Sequence, residues 1–340
     1  MFDLPTIWAG LLALAVFLYV VLDGFDLGVG ILFPFAKDAK QRDQMLGTIA
    51  PVWDGNETWL VLGGGGLLAV FPAAYAILMP AFYTPILIML VALIFRGVAF
   101  EFRHHGRARG KKFWTGAFFA GSLAATIGQG LVLGGFIQGV TVKDGAFAGG
   151  PFDWLTPFSL LVAGALVGGY ALLGAAWLVF KAEGPLHESA RAWARTLALT
   201  VGFAMAGVSL ATLSMDPLVT ARWGITMRTV DWGQFIKMAP LPVGAALCVA
   251  GVMITAKRTP DLRPYLFAVG LFALGFLGLA VSFWPYIVPF ALTPQDAAGP
   301  DNALTLMLVG AVIFLPMVLA YTAWAYWVFR AKVGPDASYH

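Results

Sequence analysis

The sequence predicts an all-α integral membrane protein of about nine transmembrane helices, with its N-terminus outside and its C-terminus in the cytoplasm. Three observations predict it. Hydrophobic residues make up 60% of the 340 and charged residues 11%, with a mean hydropathy of +0.82. A soluble domain is about 45–50% apolar and about 25% charged, and a globule of this length cannot hide so much apolar surface. Apolar runs of the roughly 20 residues needed to cross the hydrocarbon recur along the chain. Basic residues gather in alternate links between those runs. Soluble enzyme folds are thereby excluded. The net charge of +3 comes from scattered loop residues and points to no nucleic-acid surface. The one cysteine, Cys248, excludes a disulfide framework and a cysteine-based metal site, and reads as a small packing residue.

The runs fall near residues 6–35, 53–72, 75–102, 113–140, 155–181, 189–214, 236–256, 264–289 and 303–329. The first continues to Phe35, past any small-residue cleavage site, and has no basic residue before it, so it reads as a retained helix. Lys37, Lys40 and Arg42 follow it. Arg103, Arg107, Arg109, Lys111 and Lys112 follow the third run, and Lys181, Arg191 and Arg195 flank the link after the fifth. Lys257, Arg258 and Arg263 follow the seventh, and Arg330 and Lys332 the ninth. The opposite links hold only Lys143, Arg222, Arg228 and Lys237. The positive-inside rule then fixes the orientation, and an odd number of spans is required. The outer links are short except for about 215–235, and none is long enough for a separate domain. Within the second run, Gly63-Gly64-Gly65-Gly66 reads either as tight helix packing or as a local break lining a cavity.

Ionisable residues inside a bilayer are costly and mark functional sites. Helix 1 carries Asp23 and Asp26, whose spacing of three puts both carboxylates on one face. Helix 2 opens with Trp53-Asp54-Gly55-Asn56-Glu57, and helix 3 carries Arg96 and then Glu101. With the helices alternating in direction, all of these fall in the cytoplasmic half. One arginine cannot neutralise several carboxylates, so some acid is protonated or shares a proton, and such a group can relay protons. The other reading is a buried ion-pair network that fixes helix register. Asp54 also reads as an N-cap of helix 2. His104, His105, His187 and His340 all lie outside the spans, so the chain offers little to a membrane haem. The pair His104-His105 reads as part of a solvated basic loop. Gln129 and Gln138 are neutral polar residues able to bond a neighbouring helix. The aromatics Phe283, Trp284 and Tyr286, and then Tyr321, Trp324, Tyr326 and Trp327, read as an interfacial belt or as a groove for a quinone tail or a lipid.

The runs Asp-Gly-Phe-Asp-Leu-Gly-Val-Gly at 23–30, Ile-Ala-Pro-Val-Trp-Asp-Gly-Asn-Glu-Thr-Trp at 49–59 and Phe-Arg-Gly-Val-Ala-Phe-Glu at 95–101 resemble subunit II of cytochrome bd-type quinol oxidases. So do Phe-Trp-Pro-Tyr-Ile-Val-Pro at 283–289 and the run from Tyr321 to Arg330. The short length and the Val-Phe-Arg ending look closest to the cyanide-insensitive branch of these ubiquinol oxidases. The resemblance implies a single membrane domain over 1–340, with one four-helix bundle at 6–140, a second at 155–289 and an additional peripheral helix at 303–329. It implies a pseudosymmetric heterodimer with subunit I, accompanied in some members by small single-helix subunits, in the bacterial inner membrane. Subunit I would ligate haems b558, b595 and d and bind quinol. This chain would be a non-catalytic subunit of an electrogenic oxidase, free of metal ligands, in some members holding a structural quinone. The complex would take up quinol and oxygen, and membrane lipids would surround it. The proton-path residues carried over are Asp54 first, then Asp26 and Asp23, with Glu57 beside them and Arg96 as charge partner. Trp53, Asn56 and Glu101 adjoin them. A proton-coupled secondary transporter and a purely structural scaffold are the alternatives. A transporter would favour an inverted repeat and a midplane site.

Overall fold

The computed structural model describes residues 3–105, 108–225, 229–257 and 261–335. Arg107, Arg228, Arg258 and His340, counted above, lie outside them, as do the side chains of His104, His105 and Arg109. Helix α1 spans Leu4–Leu32 and starts where Asp3 accepts from Thr6 N at 3.0 Å, with Pro5 in its first turn. It ends in a single 3-10 turn, Phe33–Phe35, around Pro34. The link after it is not a loop, as the sequence reading had it. Asp38 caps an eleven-residue helix, α2 (Ala39–Ile49), which buries Met45, Leu46 and Ile49.

Helix α3 (Trp53–Val70) stops at Phe71, and Pro72 opens a separate short helix, α4 (Pro72–Ala81). Helix α5 begins at Tyr83 and runs to His105. The expected third span at 75–102 is therefore divided at Phe82. Pro80 and Pro85, on either side of Phe82, explain the division, because each lacks the N–H of a continuous helix. Helix α6 (Ala108–Gln138) leads into a two-strand hairpin, β1 (Val142–Lys143) and β2 (Ala146–Phe147), paired antiparallel. Its turn residues Asp144 and Gly145 both have positive φ, 51° and 75°, the backbone that an Asp-Gly hairpin turn requires.

Helix α7 (Pro157–Lys181) starts at a reciprocal cap between Thr156 and Ser159. It is followed by α8 (Gly184–Leu213), which begins before the expected 189. The outer segment near 215–235 holds two short helices, α9 (Pro217–Arg222) and α10 (Trp232–Met238), the latter leading into α11 (Pro240–Thr255). Helix α12 (Arg263–Phe283) stops short of the expected 289 because Pro285 follows Trp284. The short α13 (Pro294–Ala297) precedes α14 (Asp301–Val328).

Eight segments among the described residues are helices long and apolar enough to cross a membrane. Helix α3 is not one of them, because Asp54, Asn56 and Glu57 occupy its first turns. The chain is an all-α, multi-pass membrane protein. Helix α1 packs against α3, α6 and α7; α5 pairs with α6, α7 with α8, and α11 with α12. From Asp23 to Leu32 every residue of α1 is buried, so this half of α1 is the axis of the molecule. Its glycines make that possible: a Cβ on Gly28 would stand 1.8 Å from the Tyr170 carbonyl oxygen, and one on Gly174 would stand 2.4 Å from the Gly28 carbonyl carbon. Helices α1 and α7 therefore touch backbone to backbone. The run Gly63–Gly66 stays helical inside α3, so the local break does not occur.

Candidate functional site

The sequence asks where the intramembrane acids and Arg96 go. The C-terminal half of α1, the N-terminal turns of α3 and the C-terminal half of α5 meet at the end of the molecule that carries α2. There Arg96 Nη1 donates to Asp23 Oδ1 at 2.8 Å and Nη2 to Glu57 Oε2 at 3.2 Å. Asp23 and Asp26 are both fully buried and Arg96 is 2% exposed. Asp26 has no bond to the guanidinium. Its Oδ2 accepts from Asn56 Nδ2 at 2.7 Å, and that amide nitrogen also reaches the Leu22 carbonyl at 3.3 Å. The Trp53 ring lies 5.7 Å from the Arg96 guanidinium carbon and packs on Phe100.

The expected acids thus separate into two groups. Asp23, Asp26, Glu57 and Arg96 form one cluster, with Asn56 and Trp53 as its wall. Asp54 and Glu101 do not join it: both are exposed on this chain, Asp54 on the outer face of α3 and Glu101 further along α5. Two oxygens inside the cluster, Asp23 Oδ2 and Asp26 Oδ1, are buried without any hydrogen-bond partner. A group of this kind in a native interior needs a proton, a water or an ion to complete it. Three carboxylates around one guanidinium leave the same deficit when counted by charge.

The sequence reading missed three tyrosines here. Tyr326 near the end of α14 donates to Asn56 Oδ1 at 2.8 Å, which fixes the amide so that its nitrogen faces Asp26. Tyr19, one turn before Asp23, accepts from Gln129 Nε2 at 2.6 Å, and Tyr170 donates to Gln129 Oε1 at 2.7 Å. The spacing of four between Tyr19 and Asp23 was a legible signal, since it puts both on one helix face. Tyr326 carried none. The aromatic group it belongs to splits: Tyr321, Trp324 and Trp327 are exposed on α14, whereas Tyr326 turns inward against Phe25 and Trp177. Phe283 is buried against Phe136 and Phe290.

A second ion cluster lies nearby. Arg103, 1% exposed, donates to Asp43 of α2 at 2.6 Å and to Thr115 of α6 at 3.1 Å, and Lys111 reaches the other Asp43 oxygen at 3.2 Å. Burial pushes the Asp43 carboxyl up, but the bonds and charges of Arg103 and Lys111 outweigh it and hold it below its ordinary value. A carboxyl depressed in the folded chain stabilises fully above its unfolded value of about 3.9 and loses that contribution as pH falls through the lower folded value. Asp43→Asn should therefore weaken the seating of α2, at a cost of about 1–3 kcal/mol. The variant's loss of thermal stability relative to the parent should be largest near neutrality and should vanish in acid.

Among the described residues, no group of three or more His, Cys, Asp or Glu is placed to hold a metal ion. Of the histidines, His187 is described with its side chain. It is buried at the start of α8, with neither ring nitrogen bonded.

The family model for cytochrome bd terminal oxidase subunit II matches residues 4–329. This chain belongs to that family. It is 30% identical to the cytochrome bd-I ubiquinol oxidase subunit 2 of Escherichia coli K12, over 96% of this chain and 94% of that one. The cytochrome bd ubiquinol oxidase subunit 2 of Bacillus subtilis is 28% identical, over 98% of each. The bd oxidase structure from Geobacillus thermodenitrificans superposes with a TM-score of 0.76 at 19% identity, covering 96% of this chain and 98% of that one. That likeness shows a shared fold. A bd oxidase subunit II is a component of an oxidoreductase complex with subunit I and a multi-pass membrane protein. Family membership removes the transporter alternative.

Proposed function

We propose that this subunit II supports a haem-bearing subunit I and delivers protons from the cytoplasm for the reduction of oxygen to water by quinol. The observation that carries the reading is the cluster in which one guanidinium holds Asp23 and Glu57 while Asp26 lies beside them on Asn56, with Asp23 Oδ2 and Asp26 Oδ1 buried and unpartnered. In this reading α3 is a ninth span, and the N-terminus lies outside. The cluster end of the molecule, rich in Lys and Arg, then faces the cytoplasm. Helices α1 to α6 and α7 to α12 form the two four-helix bundles, joined where α1 and α6 meet α7, with α14 outside them. Haems b558, b595 and d belong to subunit I.

The first turns of α3 expose Asp54 and Thr58; Val61, Leu62 and Leu68 continue the exposed face along the helix, and α14 is the least buried of the spans. Both are faces for subunit I. Asp54 then stands where the path leaves this chain, and half-buried Glu57 links it to the interior. Four electrons and four protons convert one oxygen to two waters. With protons drawn from inside and electrons from quinol oxidised outside, each turnover separates charge without a pump, at about 2.3 kcal/mol per charge per 100 mV. This chain's part is to hold and pass protons at its carboxylates.

The test is the purified oxidase carrying Asp26→Asn or Asp54→Asn. Oxygen consumption should fall about tenfold or more, in line with loss of a positioned proton-transfer group, with haem content unchanged. Parent turnover in both assembled variants would leave the ion-pair scaffold as the role of these residues.

A further inference from the structure

Two buried tyrosines and one amide form a chain of hydrogen bonds from α7 through α6 to α1, ending one helical turn from Asp23. Tyr170 on α7 is 1% exposed, and its hydroxyl donates to Gln129 Oε1 on α6 at 2.7 Å. That bond fixes which end of the amide faces α7. The amide nitrogen must then face α1, where it donates to Tyr19 Oη at 2.6 Å. Tyr19, 4% exposed, thereby has an acceptor site occupied, and its own O–H must donate elsewhere. Asp23 follows one helical turn later, on the same face of α1. Its Oδ1 is held by Arg96, and its Oδ2 is buried with no partner. Space for Tyr170 comes from Gly24, where a Cβ would lie 2.9 Å from the tyrosine ring.

We propose that Gln129 is a positioning residue for the acid cluster: held by Tyr170, it orients the Tyr19 hydroxyl so that its proton is directed at Asp23 Oδ2. The inference rests on the proton-delivery reading and adds to it a control from α6 and α7. With Oδ1 committed to Arg96, Oδ2 is the Asp23 oxygen that exchanges protons. A hydroxyl held in one direction against it sets how readily that exchange occurs. Leucine at 129 keeps the volume but removes both bonds. Tyr19 is then free to rotate, and the Tyr170 hydroxyl is left buried without an acceptor.

The test compares Gln129→Leu, Tyr19→Phe, Tyr170→Phe and Asp23→Asn in the complete purified oxidase, reading haem content, oxygen consumption with quinol, and its pH profile. Gln129→Leu and Tyr19→Phe should each lower turnover about tenfold and displace the pH profile by about one unit, the scale of one hydrogen bond to a charged group. Tyr170→Phe, which frees the amide to turn over, should have a smaller effect in the same sense. The two phenylalanine variants keep the ring packing and decide the matter should Gln129→Leu fail to assemble. Parent turnover and pH profile in Tyr19→Phe and Tyr170→Phe, beside a slow Asp23→Asn, would overturn the positioning role alone. An Asp23→Asn enzyme at the parent rate would overturn proton delivery through this cluster as well.

Discussion

Cells making the Arg96→Leu subunit should accumulate almost no assembled oxidase. Arg96 is 2% exposed and holds Asp23 and Glu57 through separate nitrogens. Leucine fills part of the volume but leaves two carboxylates facing each other, with Asp26 a further turn away on the same helix face. Removing one partner of a buried ion pair costs about 3–5 kcal/mol. Here more than one acid is stranded, so the loss should exceed a typical domain's margin. Arg96→Lys separates charge from geometry. It keeps the positive charge but cannot fork to both acids, so partial assembly with slow turnover is expected. The measurements are the amount of subunit in the membrane and its co-purification with haem. Full accumulation of Arg96→Leu would mean that these acids carry no charge in the resting enzyme.

A single methyl group at position 28 should be comparably damaging. In Gly28→Ala the new Cβ would fall 1.8 Å from the Tyr170 carbonyl oxygen and 2.9 Å from the Gly174 nitrogen. Both obstacles are backbone, so no side-chain rotation relieves them, and α1 and α7 must move apart. Overpacking of this kind costs about 3 kcal/mol or more when it shifts whole helices. The control is Gly164→Ala on α7, where a Cβ would have nothing within 4 Å; it should leave the melting temperature near the parent value. Differential scanning of the purified complex, or resistance to extraction-induced unfolding, reads both. Equal behaviour of the two variants would contradict the backbone contact between α1 and α7.

The class of the protein and most of its spans were legible because hydrophobic length is a one-dimensional property. Where the reading slipped, local chemistry outweighed the apolar run. Pro80 and Pro85 divided one expected helix, Pro285 cut another short, and Asp38 capped a helix in a stretch read as loop. Counting charges and helix directions put Arg96 and the acids in one half of the membrane but did not say which acids the guanidinium would hold. The hub role of Asn56 was not legible either, because it depends on Tyr326, 270 positions away. Asp54, placed first by resemblance, lies exposed on α3. Asn56, two residues on, falls on the opposite face of the same helix and points inward, and half-buried Glu57 reaches Arg96 from between the two.

The segment after α14 is tied down strongly for so short a stretch. Lys181 Nζ donates to the carbonyls of Phe329 and Ala331, both at 2.5 Å. Gln44 donates to the Val333 carbonyl at 2.7 Å, and Val333 N donates to the Lys181 carbonyl at 2.8 Å. The lysine is 4% exposed, so before those carbonyls arrive it is a lone cation in an apolar wall. Asn56 Oδ1 likewise lacks its donor until Tyr326 reaches it. Ribosomal synthesis delivers Asp23 and Asp26 early and their last supports some 300 residues later, at about 5–20 residues per second. Chains cut short before residue 333 lose acceptors that buried Lys181 and Gln44 need, so the truncated subunit should accumulate less in the membrane than the full-length one.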